Sequence, residues 1–152
     1  MTEAGASAAL AGLIFVSISI NLTKIIEYPD VASRAGEALS LLMGTLFICT
    51  VALAPNQPQK LLGAEFLIVG GLLWVLTVSL HVGQFRRRDQ RPWWWLASRA
   101  FVCNCATLSL CIAGISLMLA HPSGMYWLIP GCVFSFVAAT TIAWVLLIEI
   151  VR

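Results

Sequence analysis

The stretch QFRRRDQRPWWW, residues 84–95, gathers four arginines and three tryptophans in a chain that is otherwise largely apolar. Long apolar runs lie on both sides of it. Such a gap reads as a loop between two membrane spans. Lysine and arginine beside spans are retained on the cytoplasmic side. Arg86, Arg87, Arg88 and Arg91 therefore act as a topology anchor, with contact to anionic lipid or a partner protein as the alternative role. Trp93, Trp94 and Trp95 suit the headgroup zone, where an amphipathic ring buries its body and wets its edge.

Composition agrees. Hydrophobic residues make up 60% of the 152 residues and charged residues 11%, with a mean hydropathy of +0.92. A soluble domain carries about a quarter charged residues. This chain cannot coat a water-soluble globule. Its net charge of +2 comes from basic residues beside the spans, so no nucleic-acid partner is expected. The start, MTEAGASAAL, lacks the basic region of a cleavable signal, so the first span is expected to stay.

A helix needs roughly 20 apolar residues to cross a hydrocarbon core of about 30 Å. Five stretches qualify: 5–26, 32–54, 61–85, 93–120 and 125–151. A transmembrane β-barrel would need short strands of alternating polarity. The expected fold is therefore an all-α integral membrane protein, one domain over 1–152, with five transmembrane helices. The arginine loop places the N-terminus outside and the C-terminus in the cytoplasm. Eight of the nine basic residues then lie on the cytoplasmic side, Lys60 being the exception. Pro29 precedes the second span, with Asp30 as its expected N-cap.

Helices in lipid associate by close packing of small residues. Stripes at four-residue spacing occur at Ala4, Ala8 and Gly12, at Ala32, Gly36, Ser40 and Gly44, at Cys105, Ser109 and Ala113, and at Gly131, Ser135 and Ala139. Gly63 and Gly70 stand one heptad apart. Tight packing is expected along Gly36, Ser40 and Gly44. In VSISINLT, residues 16–23, Ser17 and Asn21 share one helical face and Ser19 and Thr23 another. This places the first span centrally, bonded to two neighbours, with a water-lined path as the sharper reading.

The assigned topology brings a polar cluster to one depth near the inner face: Ser17, Asn21, Lys24, Glu37, Ser40, Ser79, His81, Arg99 and Asn104. Charges in a membrane pair or line water. Glu37 is expected to pair with Lys24, Arg34 or Arg99. The cluster serves either as a set of ion pairs fixing the first hairpin or as a cytoplasmic vestibule. In the outer half Glu65 stands apart. It either reaches the headgroups or, in an oligomer, forms a carboxylate ring that concentrates cations.

Catalytic, metal and cofactor patterns are not found. His81 and His121 lie at opposite depths, which rules out a bis-histidine haem within one chain. Cys49, Cys103, Cys105, Cys111 and Cys132 are read as small apolar packing residues, and CNC puts two of them on roughly opposite helix faces. Ser116 has no histidine at its depth. No Walker motif, glycine fingerprint or HExxH occurs. No cofactor is expected and the chain is not read as an enzyme.

The stretch AGLIFVSISINLTKIIEYPDVASRAGEALSLL and the LAPNQPQKLLGAE turn resemble small bacterial multi-span membrane proteins, some described as modulators of the FtsH protease. The resemblance covers the first half of the chain and implies a multi-pass protein of the bacterial inner membrane. The inner polar cluster and Glu65 make an oligomeric channel-like protein for ions or small solutes the first expectation, with an accessory or regulatory subunit of a larger membrane complex, such as a membrane protease, as the alternative. Membrane lipids, further copies of the chain and a membrane-complex partner are the expected contacts.

Overall fold

The computed structural model describes residues 2–20, 29–86, 93–119 and 121–151. Its helices are α1 (Thr2–Ile20), α2 (Pro29–Ala52), α3 (Gln59–Arg86), α4 (Trp93–Met118) and α5 (Leu128–Val151), with a 3-10 helix at Pro122–Trp127. No strand occurs among the described residues. All five helices are long and apolar enough to cross a membrane. The fold is an all-helical bundle of candidate membrane spans.

The helix ends differ from the expected ones for local reasons. α2 starts at Pro29, so Asp30 lies in its first turn and is not its N-cap. Proline suits a first helical position because the amide it lacks has no partner there. The α2–α3 turn passes through Asn56 at φ 57°, a left-handed conformation that asparagine tolerates. The amides of Leu61 and Leu62 then donate to the Pro58 carbonyl, which starts α3. The expected start of the last span at 125 falls inside the 3-10 turn. Its Pro122 opens that turn, and the Leu128 amide donates back to the Met125 and Tyr126 carbonyls where α5 begins.

Packing closes four helices into a ring. α2 contacts α3, α3 contacts α4 most extensively, α4 contacts α5, and α5 returns to α2. α2 and α4 face each other diagonally, and their backbones scarcely approach. α1 lies outside the ring, held mainly by α2. Only 17% of its most apolar window is buried, against 44% for α2. The expectation of a central first span is therefore corrected. The Ser17 and Ser19 hydroxyls donate to the carbonyls of Leu13 and Phe15 on the same helix, at 2.8 and 2.9 Å. Hydroxyls in a helix readily bond four residues back, so their alternating pattern does not require neighbours on two sides.

Two of the small-residue stripes are also corrected. α1 packs through Ser7, Ala11 and Ile14, while Ala8 and Gly12 are exposed. On α2, Ala32 and Gly36 are exposed and Ser40 is half-buried; Gly44 alone of the four is fully packed. A Cβ on Gly44 would lie 2.2 Å from Leu73 Cδ1, whereas one on Gly36 would meet nothing within 4 Å. The reason is rotational. At 3.6 residues per turn, each four-residue step drifts by about 40°, so a long stripe leaves the contact face. On α5 the stripe holds: Gly131, Ser135 and Ala139 are all buried. On α4, Ser109 and Ala113 are buried and Cys105 is half-buried.

The closest backbone approach joins α3 to α4. A Cβ on Gly114 would come within 2.7 Å of the Leu67 amide nitrogen and 2.8 Å of the Gly63 carbonyl oxygen. A Cβ on Gly70 would press on Cys111 and Leu110 at 3.1–3.2 Å. Backbone cannot yield as a side-chain tip can, so Gly114→Ala should cost about 1–3 kcal/mol by overpacking. Gly36→Ala should be neutral or stabilising by up to about 1 kcal/mol, since alanine is the better helix former. Unfolding in mixed micelles measures both. Equal losses for the two variants would refute the assigned contact.

Candidate functional site

At the end of the bundle where α2 and α4 begin and α3 finishes, polar side chains meet inside the four-helix ring. Glu37 extends from α2 and is 0% exposed. It receives an ion-paired hydrogen bond from Arg99 of α4 at Oε2. This is a contact across the diagonal, made because both side chains are long. Its Oε1 faces His81 Nε2 of α3 at 3.1 Å. One carboxylate thus joins three helices.

Local helix geometry supplies the rest. Four residues before His81, the Thr77 carbonyl lies 2.7 Å from His81 Nδ1. A carbonyl can only accept, so Nδ1 carries a proton and the ring is held with Nε2 toward Glu37. One turn later on α3, Gln84 Nε2 donates to Ser33 Oγ of α2 at 2.9 Å. Gln84 Oε1 accepts from Arg99 Nη1 at 3.4 Å. One turn after Arg99 on α4 stands Cys103, also 0% exposed, packed with Leu41 and Ala138. A Glu37 carboxylate oxygen, a His81 ring nitrogen and the Cys103 sulfur lie within 4.8 Å of one another.

Beside this centre lies a cavity of about 130 Å³. Arg34, Arg99, Ser98 and Thr141 are among the residues that line it. Val102, Ala138 and Ile142 make it mostly apolar, and Cys103 lies between cavity and centre. Arg34 is itself 3% exposed.

The remaining expected site residues have more local roles. Asn104 accepts from Trp74 Nε1 at 3.0 Å and donates to the Ala100 carbonyl at 2.8 Å, a bridge between α3 and α4. Ser40 donates to the Glu37 carbonyl and Ser79 to that of Leu76. Ser17 bonds its own helix, as above. Glu65 is half-buried and accepts from Gln57 Nε2 at 2.7 Å, in the α2–α3 turn. Asn21, Lys24, Arg87, Arg88 and Arg91 lie outside the described residues, and Arg86 closes α3. Of the three bases expected near Glu37, Arg99 makes an ion pair with it among the described residues, and Lys24 lies outside them.

Gln84, Ser33 and Cys103 were not singled out by sequence reasoning for this site, whereas Arg34, expected near Glu37, lines the cavity beside it. A signal existed in the one-turn spacings His81–Gln84 and Arg99–Cys103, which place each pair on one face. Comparison with family models, curated proteins and solved structures gives no match.

Gln84→Leu removes both amide hydrogen bonds from a buried site. A buried hydrogen-bonded network loses about 1–3 kcal/mol when one member is deleted. Ser79→Ala, on an exposed face, should stay within about 0.5 kcal/mol of the native chain. Unfolding in mixed micelles separates the two, and a neutral Gln84→Leu would remove the amide from the network.

Proposed function

We propose that the chain is a small, non-enzymatic, multi-pass membrane protein that acts by binding, in an accessory or regulatory role, with the cavity beside Arg99 as its ligand pocket. The observation that carries this reading is a mostly apolar cavity with two arginines, Arg34 and Arg99, among its lining residues. That combination fits an amphiphile with an anionic head. Basic pockets between transmembrane helices on the cytoplasmic side take anionic lipid headgroups. The positive-inside rule assigns this end of the bundle to the cytoplasm. The resemblance of the first half of the chain to small bacterial inner-membrane proteins implies the same membrane.

A channel-like oligomer draws less support. The carboxylate it relies on, Glu65, is engaged by Gln57 of its own chain. The helix surfaces that point outward carry Leu13, Phe15, Ile68, Leu72, Phe101 and Trp144, side chains that suit lipid better than a wetted axis.

Thermal unfolding of the purified protein with added lipid tests the proposal. Phosphatidylglycerol should raise the melting temperature by several degrees over phosphatidylcholine, by mass action on the folded state. Thr141→Trp, which fills the cavity from an exposed position, should abolish the difference. Equal shifts with both lipids would refute the anionic pocket. A cation current from reconstituted protein, lost in Glu65→Gln, would replace this reading with the channel.

A further inference from the structure

We propose that Glu37, His81 and Cys103 form a binding site for a divalent transition metal of the zinc class. The inference builds on the reading of this end of the bundle as a binding site, but not on the lipid assigned to its cavity.

The donor set is the first argument. Carboxylate oxygen, imidazole nitrogen and thiolate sulfur are the ligands zinc takes, and a thiolate among them disfavours magnesium or calcium. Here they come from three different helices and lie within 4.8 Å of one another. A tetrahedral ion with metal–ligand distances of about 2.0–2.3 Å holds its ligands about 3.3–3.5 Å apart. Glu37 Oε1 and His81 Nε2 already stand at 3.1 Å. Closure on an ion brings the Cys103 sulfur to that same spacing.

The second argument is independent of residue type. Glu37 Oε1 and His81 Nε2 are buried and, among the described residues, make no hydrogen bond, although they face each other. Their side chains are 0% and 10% exposed. Buried polar atoms are nearly always satisfied, and this pair has only an ion-pair contact, which needs a protonated imidazole. A cation between them satisfies both.

The surroundings match a metal site in three further ways. His81 donates its other ring N–H to the Thr77 carbonyl. That hydrogen bond fixes the ring and makes the free nitrogen a better ligand. Arg99 holds the opposite carboxylate oxygen, which leaves Oε1 as the single donor of Glu37. Cys103 and Arg99 also line the cavity. The cavity offers an entry path and the open fourth position of a three-ligand site. On binding, the Cys103 thiol gives its proton to water there. Two anionic ligands then balance the dication, and Arg99 leaves one positive charge that an anion in the fourth position offsets.

The test uses the full chain in detergent, stripped with a chelator and titrated with cobalt(II) in the absence of added lipid. One equivalent should produce a near-ultraviolet thiolate-to-cobalt charge-transfer band and the visible bands of four-coordinate cobalt, both abolished by zinc. Cys103→Ser should lose the thiolate band and weaken binding by more than about tenfold. Cys105→Ser should keep both. His81→Ala should lose the four-coordinate visible bands, which covers the case of a Cys103→Ser chain that does not fold. The absence of a saturable band in folded native protein, or its survival in folded Cys103→Ser, would overturn the site. Because no anionic lipid is present, failure of the lipid shift and failure of the metal titration are read separately.

Discussion

The ion pair of Glu37 with Arg99 constrains everything around it. A carboxylate that is 0% exposed inside a membrane bundle has no water to turn to. Removing such charges from water costs several kcal/mol each, and their attraction offsets this only when further hydrogen bonds complete both groups. Here Gln84 and Ser33 extend the network from Arg99, and His81 faces the other carboxylate oxygen. The pair crosses the diagonal of the four-helix ring. It therefore fixes the relative depth of α2 and α4, whose backbones do not otherwise pack together. α3 is drawn into the same register through Gln84.

The opposite end is held by a different device. Near Gly63 and Gly114 the backbones of α3 and α4 touch, with no side chain between them. Lipid offers no hydrophobic drive for association, so such close contact and a few interhelical hydrogen bonds must supply the attraction. Glycine contact brings α3 and α4 together at one end. At the other end a buried ion pair lies inside the ring, beside a cavity lined from α2, α4 and α5.

The spans were legible because continuous apolar runs of this length have one meaning in a chain so poor in charge. Glu37, His81 and Arg99 were also legible as a set, because depth follows from residue count along a span. What could not be read was rotation. A span apolar on all sides gives no periodic signal of which face turns inward. Hence Gly36 was grouped with Gly44 although it points away, and Cys103 was read as packing although it stands one turn from Arg99. The polar alternation around Ser17 misplaced α1 for a related reason: a hydroxyl that bonds its own helix looks, in sequence, like one that bonds a neighbour. Gln84 was taken as the edge of the arginine loop, where a polar residue needs no further explanation.

A double-mutant cycle on Glu37→Leu and Arg99→Leu, read as unfolding free energy in mixed micelles, tests the central pair most directly. Each single variant leaves a buried charge without its partner and should lose about 3–5 kcal/mol. The double variant removes both charges and should recover much of that loss, giving a coupling energy of at least about 1–3 kcal/mol. Losses that simply add, within about 0.5 kcal/mol, would mean that the two side chains do not depend on each other, and would contradict the account.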